Sequence, residues 1–110
     1  MIRLFIYTKE FDRLWKSAGF GDTELRMIEN KLIKNPSTGK VISGTYGLRK
    51  FRWNIKGKGK SGGLRILYVD FPIHSKLFLI TLIKKSEREN ITQPEKKIIN
   101  KLITEIKNNL

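Results

Sequence analysis

The sequence contains no cysteine and only one histidine, His74. Without cysteine the chain cannot form a disulfide framework, use a thiol nucleophile or bind zinc through thiolates. A single histidine argues against a Ser-His-Asp relay and excludes a histidine-rich metal site. We therefore expect a function that requires no metal and no bound cofactor. His74 is expected in a surface loop, with proton transfer as the alternative role.

Long hydrophobic runs are also absent. The longest apolar stretch covers residues 77–83, far short of the roughly 20 residues that a membrane span needs. Charged residues of both signs occur too early in the chain for a secretory signal. Hydrophobic residues still make up 39% of the 110, which is enough for one core and too few for two. These features predict a single soluble, cytoplasmic domain over residues 1–110.

Acidic side chains are scarce compared with basic ones. The chain has 10 Asp and Glu against 23 Lys and Arg, a formal net charge of +13. Residues 48–85 hold ten of the basic side chains and one acid, Asp70, whereas residues 1–47 and 86–110 are close to balance. A basic excess confined to one segment forms a patch, which favours a polyanionic partner such as nucleic acid.

The spacing of apolar residues predicts the order β-α-α-β-β-β-α. The expected elements are strand 2–7, helices capped by Thr8 and Asp22, strands 45–55, 64–71 and 76–83, and a last helix that begins with the capping box Thr92–Glu95. Strand 76–83 is apolar on both faces, so it should lie inside the sheet. Short connections favour antiparallel neighbours. The sequence therefore predicts an α+β domain with helices packed on an antiparallel sheet.

Cationic side chains concentrate in residues 47–68, GLRKFRWNIKGKGKSGGLRILY. Lys50 and Arg52 share one face of a predicted strand, about 7 Å apart, and Arg65 lies on the next strand. Lys84 and Lys85 end the third strand and are expected to reach the same end of the sheet. Converging cations without acids are typical of a phosphate-binding site. The alternative is a solvated basic face without catalytic function.

The glycine-rich segment between these strands has the glycine spacing of a dinucleotide-binding fingerprint. That fingerprint must be followed by a helix, and here a strand is predicted to follow, so the match carries no function. Two readings remain for its lysines: a hairpin tip that contacts a nucleic-acid backbone, or a mobile turn. Trp53 alternates with Phe51, which favours a core position over stacking on a base.

The motifs GLRKFRW and GKGKSGGLRILY, followed by LITLIKKSERENIT, resemble the RelE/HigB superfamily of type II toxins, most closely its HigB branch. The resemblance extends over most of the chain. It implies a small basic toxin of RelE-like fold that enters the ribosomal A site and cleaves mRNA. It also implies a co-expressed antitoxin, which in the HigB branch is usually a helix-turn-helix protein.

The resemblance also implies which residues act. The catalytic positions of the family correspond to Lys50, Arg52, Arg65 and Lys85, with Lys84 as the alternative to Lys85. Four other cations of the patch are predicted to bind RNA: Arg49, Lys58, Lys60 and Lys84. RelE has a tyrosine near the start of its last helix, where this chain has Ile91. The assignment of general base and general acid therefore stays open.

RNA carries its own nucleophile, the 2′-hydroxyl, so its cleavage needs a base, an acid and cations around the phosphorus. Neighbouring cations disfavour the protonated form of a lysine, which would let Lys50 act as the base. Arg52 and Arg65 would neutralise the phosphorane. Two other functions remain open: a toxin of the same fold that inhibits gyrase without cutting RNA, and a non-catalytic RNA-binding module.

Overall fold

A computed structural model of the protein describes residues 2–54 and 63–110. The elements are strand β1 (Leu4–Tyr7), helices α1 (Lys9–Ser17) and α2 (Asp22–Lys34), strands β2 (Lys40–Val41), β3 (Arg49–Trp53), β4 (Leu64–Phe71) and β5 (Lys76–Lys84), and helix α3 (Gln93–Asn108). The α+β class and the order of the elements are confirmed, with the two-residue strand β2 as an addition. Most of the predicted hairpin tip, with Lys58 and Lys60, lies outside the described residues.

The strands of the described chain form one sheet in the order β1-β5-β4-β3-β2. The pairs β2–β3, β3–β4 and β4–β5 are antiparallel, and β5 lies inside the sheet as predicted. The expectation of a wholly antiparallel sheet is wrong for β1, which pairs with β5 in parallel. Most of the chain separates these two strands, so no short turn forces them to run in opposite directions.

Two apolar layers cover the two faces of the sheet. On one face, Phe11 and Trp15 of α1 and Ile28 and Leu32 of α2 pack against strand residues such as Phe51, Ile66 and Leu79. On the other face, Ile99 and Ile103 of α3 pack against Leu67, Val69 and Ile80. Successive strand residues point to opposite faces, so β4 and β5 each supply both layers. This alternation decides which charged side chains can meet.

Side-chain caps fix the helix ends close to their predicted places. Thr8 accepts a hydrogen bond from the Phe11 backbone N–H at 3.0 Å, which confirms it as the cap of α1. The cap of α2 is Gly21, one residue before the predicted Asp22. Thr92 and Glu95 form the predicted capping box of α3. No helix in residues 2–54 or 63–110 is long and apolar enough to cross a membrane.

Candidate active site

A cleft of about 450 Å³ opens beside β3 and β4. The residues that line it are Lys31, Thr38, Lys40, Lys50, Phe51, Arg52, Arg65 and Glu89. Five of these side chains are cationic and one is a carboxylate. Such an excess of cations around one opening favours an anionic ligand with several oxygen atoms, as a phosphodiester has.

The register of β3 and β4 brings the predicted cations together. Arg52 lies directly opposite Arg65, and Lys50 lies opposite Leu67. Because Leu67 belongs to the core beneath α3, these three cations project from the α3 face of the sheet. The prediction that Lys50, Arg52 and Arg65 converge is confirmed.

Arg65 is the most enclosed of the cleft cations, with only 4% of its surface exposed. Its Nη2 atom lies 3.6 Å from Oε1 of Glu89, whose side chain is 67% exposed. Burial restricts the rotamers of the arginine and lowers the dielectric around it, so its charge acts more strongly on a nearby anion. The cleft therefore contains one enclosed guanidinium beside an exposed carboxylate.

Asn90, the next residue along the chain, contacts a second cleft cation. Its Oδ1 atom accepts a hydrogen bond from Nζ of Lys50. Two consecutive residues of the connection between β5 and α3 thus engage Arg65 and Lys50. Sequence reasoning missed both Glu89 and Asn90, because their position depends on how α3 docks on the sheet. The available signal was a polar connection that directly follows the basic end of β5.

An ion pair at the start of α3 holds this connection in place. Arg88 forms two hydrogen bonds with the Glu95 carboxylate, and the one from Nη2 to Oε2 measures 2.8 Å. The same carboxylate accepts a bond from the Thr92 backbone N–H. The bond from Arg88, aided by Thr92, lowers the pKa of Glu95 from 4.5 to about 2. Glu89 and Asn90 lie between the two ends of this bridge.

The opposite rim of the cleft is anchored by a buried tyrosine. The Tyr68 hydroxyl donates to the Pro36 carbonyl at 2.7 Å and accepts from the Gly39 N–H at 3.0 Å. Burial raises the pKa of Tyr68 above its ordinary value. Arg49 donates to the Gly39 carbonyl at 2.7 Å from the face opposite Lys50. These bonds hold the segment that delivers Lys40 to the cleft, and they give Arg49 a structural contact in addition to its predicted RNA-binding function.

The two lysines at the end of β5 point in different directions. Lys84 pairs with Leu64, which lies in the core under α1 and α2, and it lines a separate cavity of about 280 Å³ with Glu10 and Glu87. Lys84 lies at the expected end of the sheet, beside the Leu64–Arg65 end of β4. The expectation that it joins the cations of the cleft there is wrong, because strand alternation turns it to the face opposite Arg65. Alternation favours Lys85, whose N–H donates to the Gly63 carbonyl at 3.0 Å. Their functions stay predictions.

Two other candidates fall outside the cleft. His74 is exposed in the short helical turn Pro72–His74, at the end of β4 opposite Arg65. This confirms the expected surface position and separates the ring from the cations. Trp53 packs against Trp15 and Phe20, each with its ring centroid 5.9 Å away. The core interpretation of Trp53 is confirmed.

A comparison with protein families agrees with this geometry. A family model described as the RelE toxin of the RelE/RelB toxin–antitoxin system matches residues 2–109. The matched range leaves out only the two terminal residues, so it includes every strand, both helical layers and the cleft. The match supports the resemblance seen in the sequence at the level of the superfamily and does not distinguish the HigB branch.

Proposed function

This chain belongs to the RelE toxin family of toxin–antitoxin systems, and we propose that it blocks translation by cleaving mRNA in the ribosomal A site. The single observation that carries the proposal is the cross-strand pair of Arg52 and Arg65 beside Lys50. Several cations gathered around one point are what a phosphoryl transition state requires. The enzyme would be a cytoplasmic endoribonuclease that needs no metal, because its substrate supplies the nucleophile.

The shape of the surface supports a strand of RNA as the ligand. A second cavity of about 380 Å³ adjoins the cleft and shares Lys40 and Lys50 with it. Its far side carries Lys96, so cations continue beyond the scissile position. The two cavities form a groove in which phosphates on both sides of the cut can be neutralised.

The proposed reaction begins with attack of the 2′-oxygen on the adjacent phosphorus. The bond to the 5′-oxygen breaks, which leaves a 2′,3′-cyclic phosphate and a free 5′-hydroxyl. Arg65 and Arg52 stabilise the negative charge of the phosphorane, and Arg65 does so from a nearly buried position. Lys50 transfers a proton at the reacting atoms, and Lys85 binds the phosphate group from the end of β5.

The antitoxin is the second partner that we propose. A surface with a formal net charge of +13 and an open cationic cleft attracts an acidic protein segment as well as RNA. An antitoxin that covers the cleft would compete directly with mRNA. We propose a helix-turn-helix antitoxin of the type found with HigB-like toxins, encoded beside the toxin gene.

Mapping of mRNA 5′ ends after induction of the toxin without antitoxin tests the function. We expect growth arrest together with new 5′ ends inside translated reading frames, and no new ends in untranslated RNA. Growth arrest with intact mRNA and inhibited DNA supercoiling would identify a gyrase inhibitor instead. Normal growth with soluble protein present would contradict the toxin function.

A further inference from the structure

Glu89 is the one carboxylate among the described residues that line the cleft. It lies 3.6 Å from Arg65, and its neighbour Asn90 holds Lys50. A short stretch of chain thus places an acidic and a basic side chain at the same reaction centre. Both Glu89 and Asn90 are exposed, so neither side chain belongs to the hydrophobic core. Their contacts point to a function in the chemistry.

The cleavage needs one group that accepts a proton and one that donates a proton. Glu89 forms an ion pair with the Arg65 guanidinium, so its carboxylate oxygens can accept a proton beside the bound phosphate. Lys50 donates a hydrogen bond to the Asn90 amide oxygen, which orients its Nζ atom as a donor in the cleft. These contacts favour Glu89 as the proton acceptor and Lys50 as the proton donor, the reverse of the assignment that the sequence suggested for Lys50.

The contact with Arg65 places Glu89 near the expected position of the attacking 2′-hydroxyl. A phosphate held by Arg65 would have its attacking 2′-oxygen about 3 Å from the phosphorus. A carboxylate beside the same guanidinium then lies close to that hydroxyl. Asn90 holds Lys50 through an amide oxygen, which can accept a hydrogen bond but cannot take the lysine proton at neutral pH. Lys50 keeps its other protons for the leaving group.

We propose that Glu89 is the general base and Lys50 the general acid, an assignment that rests on the proposed endoribonuclease function. The 2′-hydroxyl gives its proton to Glu89 as the oxygen–phosphorus bond forms. The bond to the 5′-oxygen breaks, and that oxygen takes a proton from Lys50. Glu89 then loses its proton to solvent and Lys50 regains one, so the enzyme returns to its starting state.

Single-turnover cleavage of ribosome-bound mRNA on two substrates tests the assignment. One substrate is ordinary RNA, and the other has sulfur in place of the 5′-bridging oxygen at the scissile phosphate. A thiolate leaves without protonation, because thiols are far more acidic than alcohols. The variants are Glu89→Gln and Lys50→Ala, with Glu87→Gln as the control because Glu87 lines the separate cavity.

We expect Glu89→Gln to lower the rate by about 10²–10³ on both substrates, and Lys50→Ala to do so only on ordinary RNA. Sulfur should restore the Lys50→Ala rate to within about tenfold of wild type. Glu87→Gln should cleave normally, and thermal melting should show that all variants fold.

Two results would overturn the assignment: normal cleavage by Glu89→Gln, or rescue of Glu89→Gln rather than Lys50→Ala by the sulfur substrate. The second result would make Lys50 the base. Failure of the wild-type protein to cleave ribosome-bound mRNA would instead overturn the proposed function, and the assignment with it. The wild-type reaction therefore distinguishes failure of the base and acid assignment from failure of the proposed function.

Discussion

Replacing Glu95 by Gln should destabilise the protein through the loss of one charge. Glutamine keeps a side-chain oxygen for the Thr92 N–H, so the capping box survives while the ion pair with Arg88 weakens. The fall in the pKa of Glu95 from 4.5 to about 2 would be worth about 3 kcal/mol if fully expressed. The side chains are 42% and 35% exposed, so solvent screening reduces the loss to about 1 kcal/mol.

The pH dependence of this loss identifies its cause. Because folding lowers the pKa of Glu95, its contribution is fully present above the unfolded value of 4.5 and disappears as the pH falls toward about 2. Urea unfolding should show wild type more stable than Glu95→Gln by about 1 kcal/mol near neutral pH and by clearly less near pH 3. Glu105→Gln, an exposed glutamate on the same helix, serves as the control. Equal stability at neutral pH, or a difference that does not change with pH, would refute the ion-pair explanation.

Three further predictions concern the rim of the cleft and its ligand. Tyr68→Phe should lower the free energy of unfolding, measured with urea, by about 1–3 kcal/mol, because the Pro36 carbonyl and the Gly39 N–H lose their hydrogen-bond partner inside the protein. A decrease below about 0.5 kcal/mol would contradict this prediction. Gly39→Ala places a Cβ atom 3.0 Å from the Lys50 carbonyl carbon and oxygen and from the Tyr68 ring. It should destabilise the protein by about 1–3 kcal/mol, and an unchanged melting temperature would show that the contact relaxes freely. Ribosome or RNA affinity should fall with salt at a log–log slope of roughly −3 to −5 if about 4–6 phosphates are bound, whereas a flat titration would argue against phosphate contacts.

Local signals in the sequence were sufficient for most of the elements. The strand predicted over residues 64–71 coincides with β4, because an apolar run ends there at a proline that cannot continue the ladder. The capping box of α3 needs only Thr92 and Glu95, three residues apart. In contrast, β2 has only two residues and depends on pairing with β3. The parallel pairing of β1 with β5 likewise could not be predicted, because no residue pattern near β1 signals a partner strand so distant in the sequence.

The residues of the candidate site likewise fall into two groups: those that local signals could predict and those whose position depends on long-range packing. Lys50, Arg52 and Arg65 could be placed together because strand alternation and one hairpin determine their geometry. The position of Glu89 depends on α3 docking through Ile99 and Ile103, which is a long-range effect. Lys84 was misplaced by a single step in the alternation of β5, since adjacent strand residues face opposite sides of the sheet.

The most direct test of a phosphodiester-cleaving cleft is the single-turnover rate of Arg65→Ala on ribosome-bound mRNA. We predict a rate about 10²–10³ lower than wild type, because the nearly buried guanidinium stabilises the phosphorane. Arg65→Lys keeps the charge in the core without the planar fork, so it should fold and cleave at an intermediate rate. Lys97→Ala, on the exposed side of α3, should cleave normally. Cleavage by folded Arg65→Ala at a rate close to that of Lys97→Ala would contradict the assignment of this cleft as the active site.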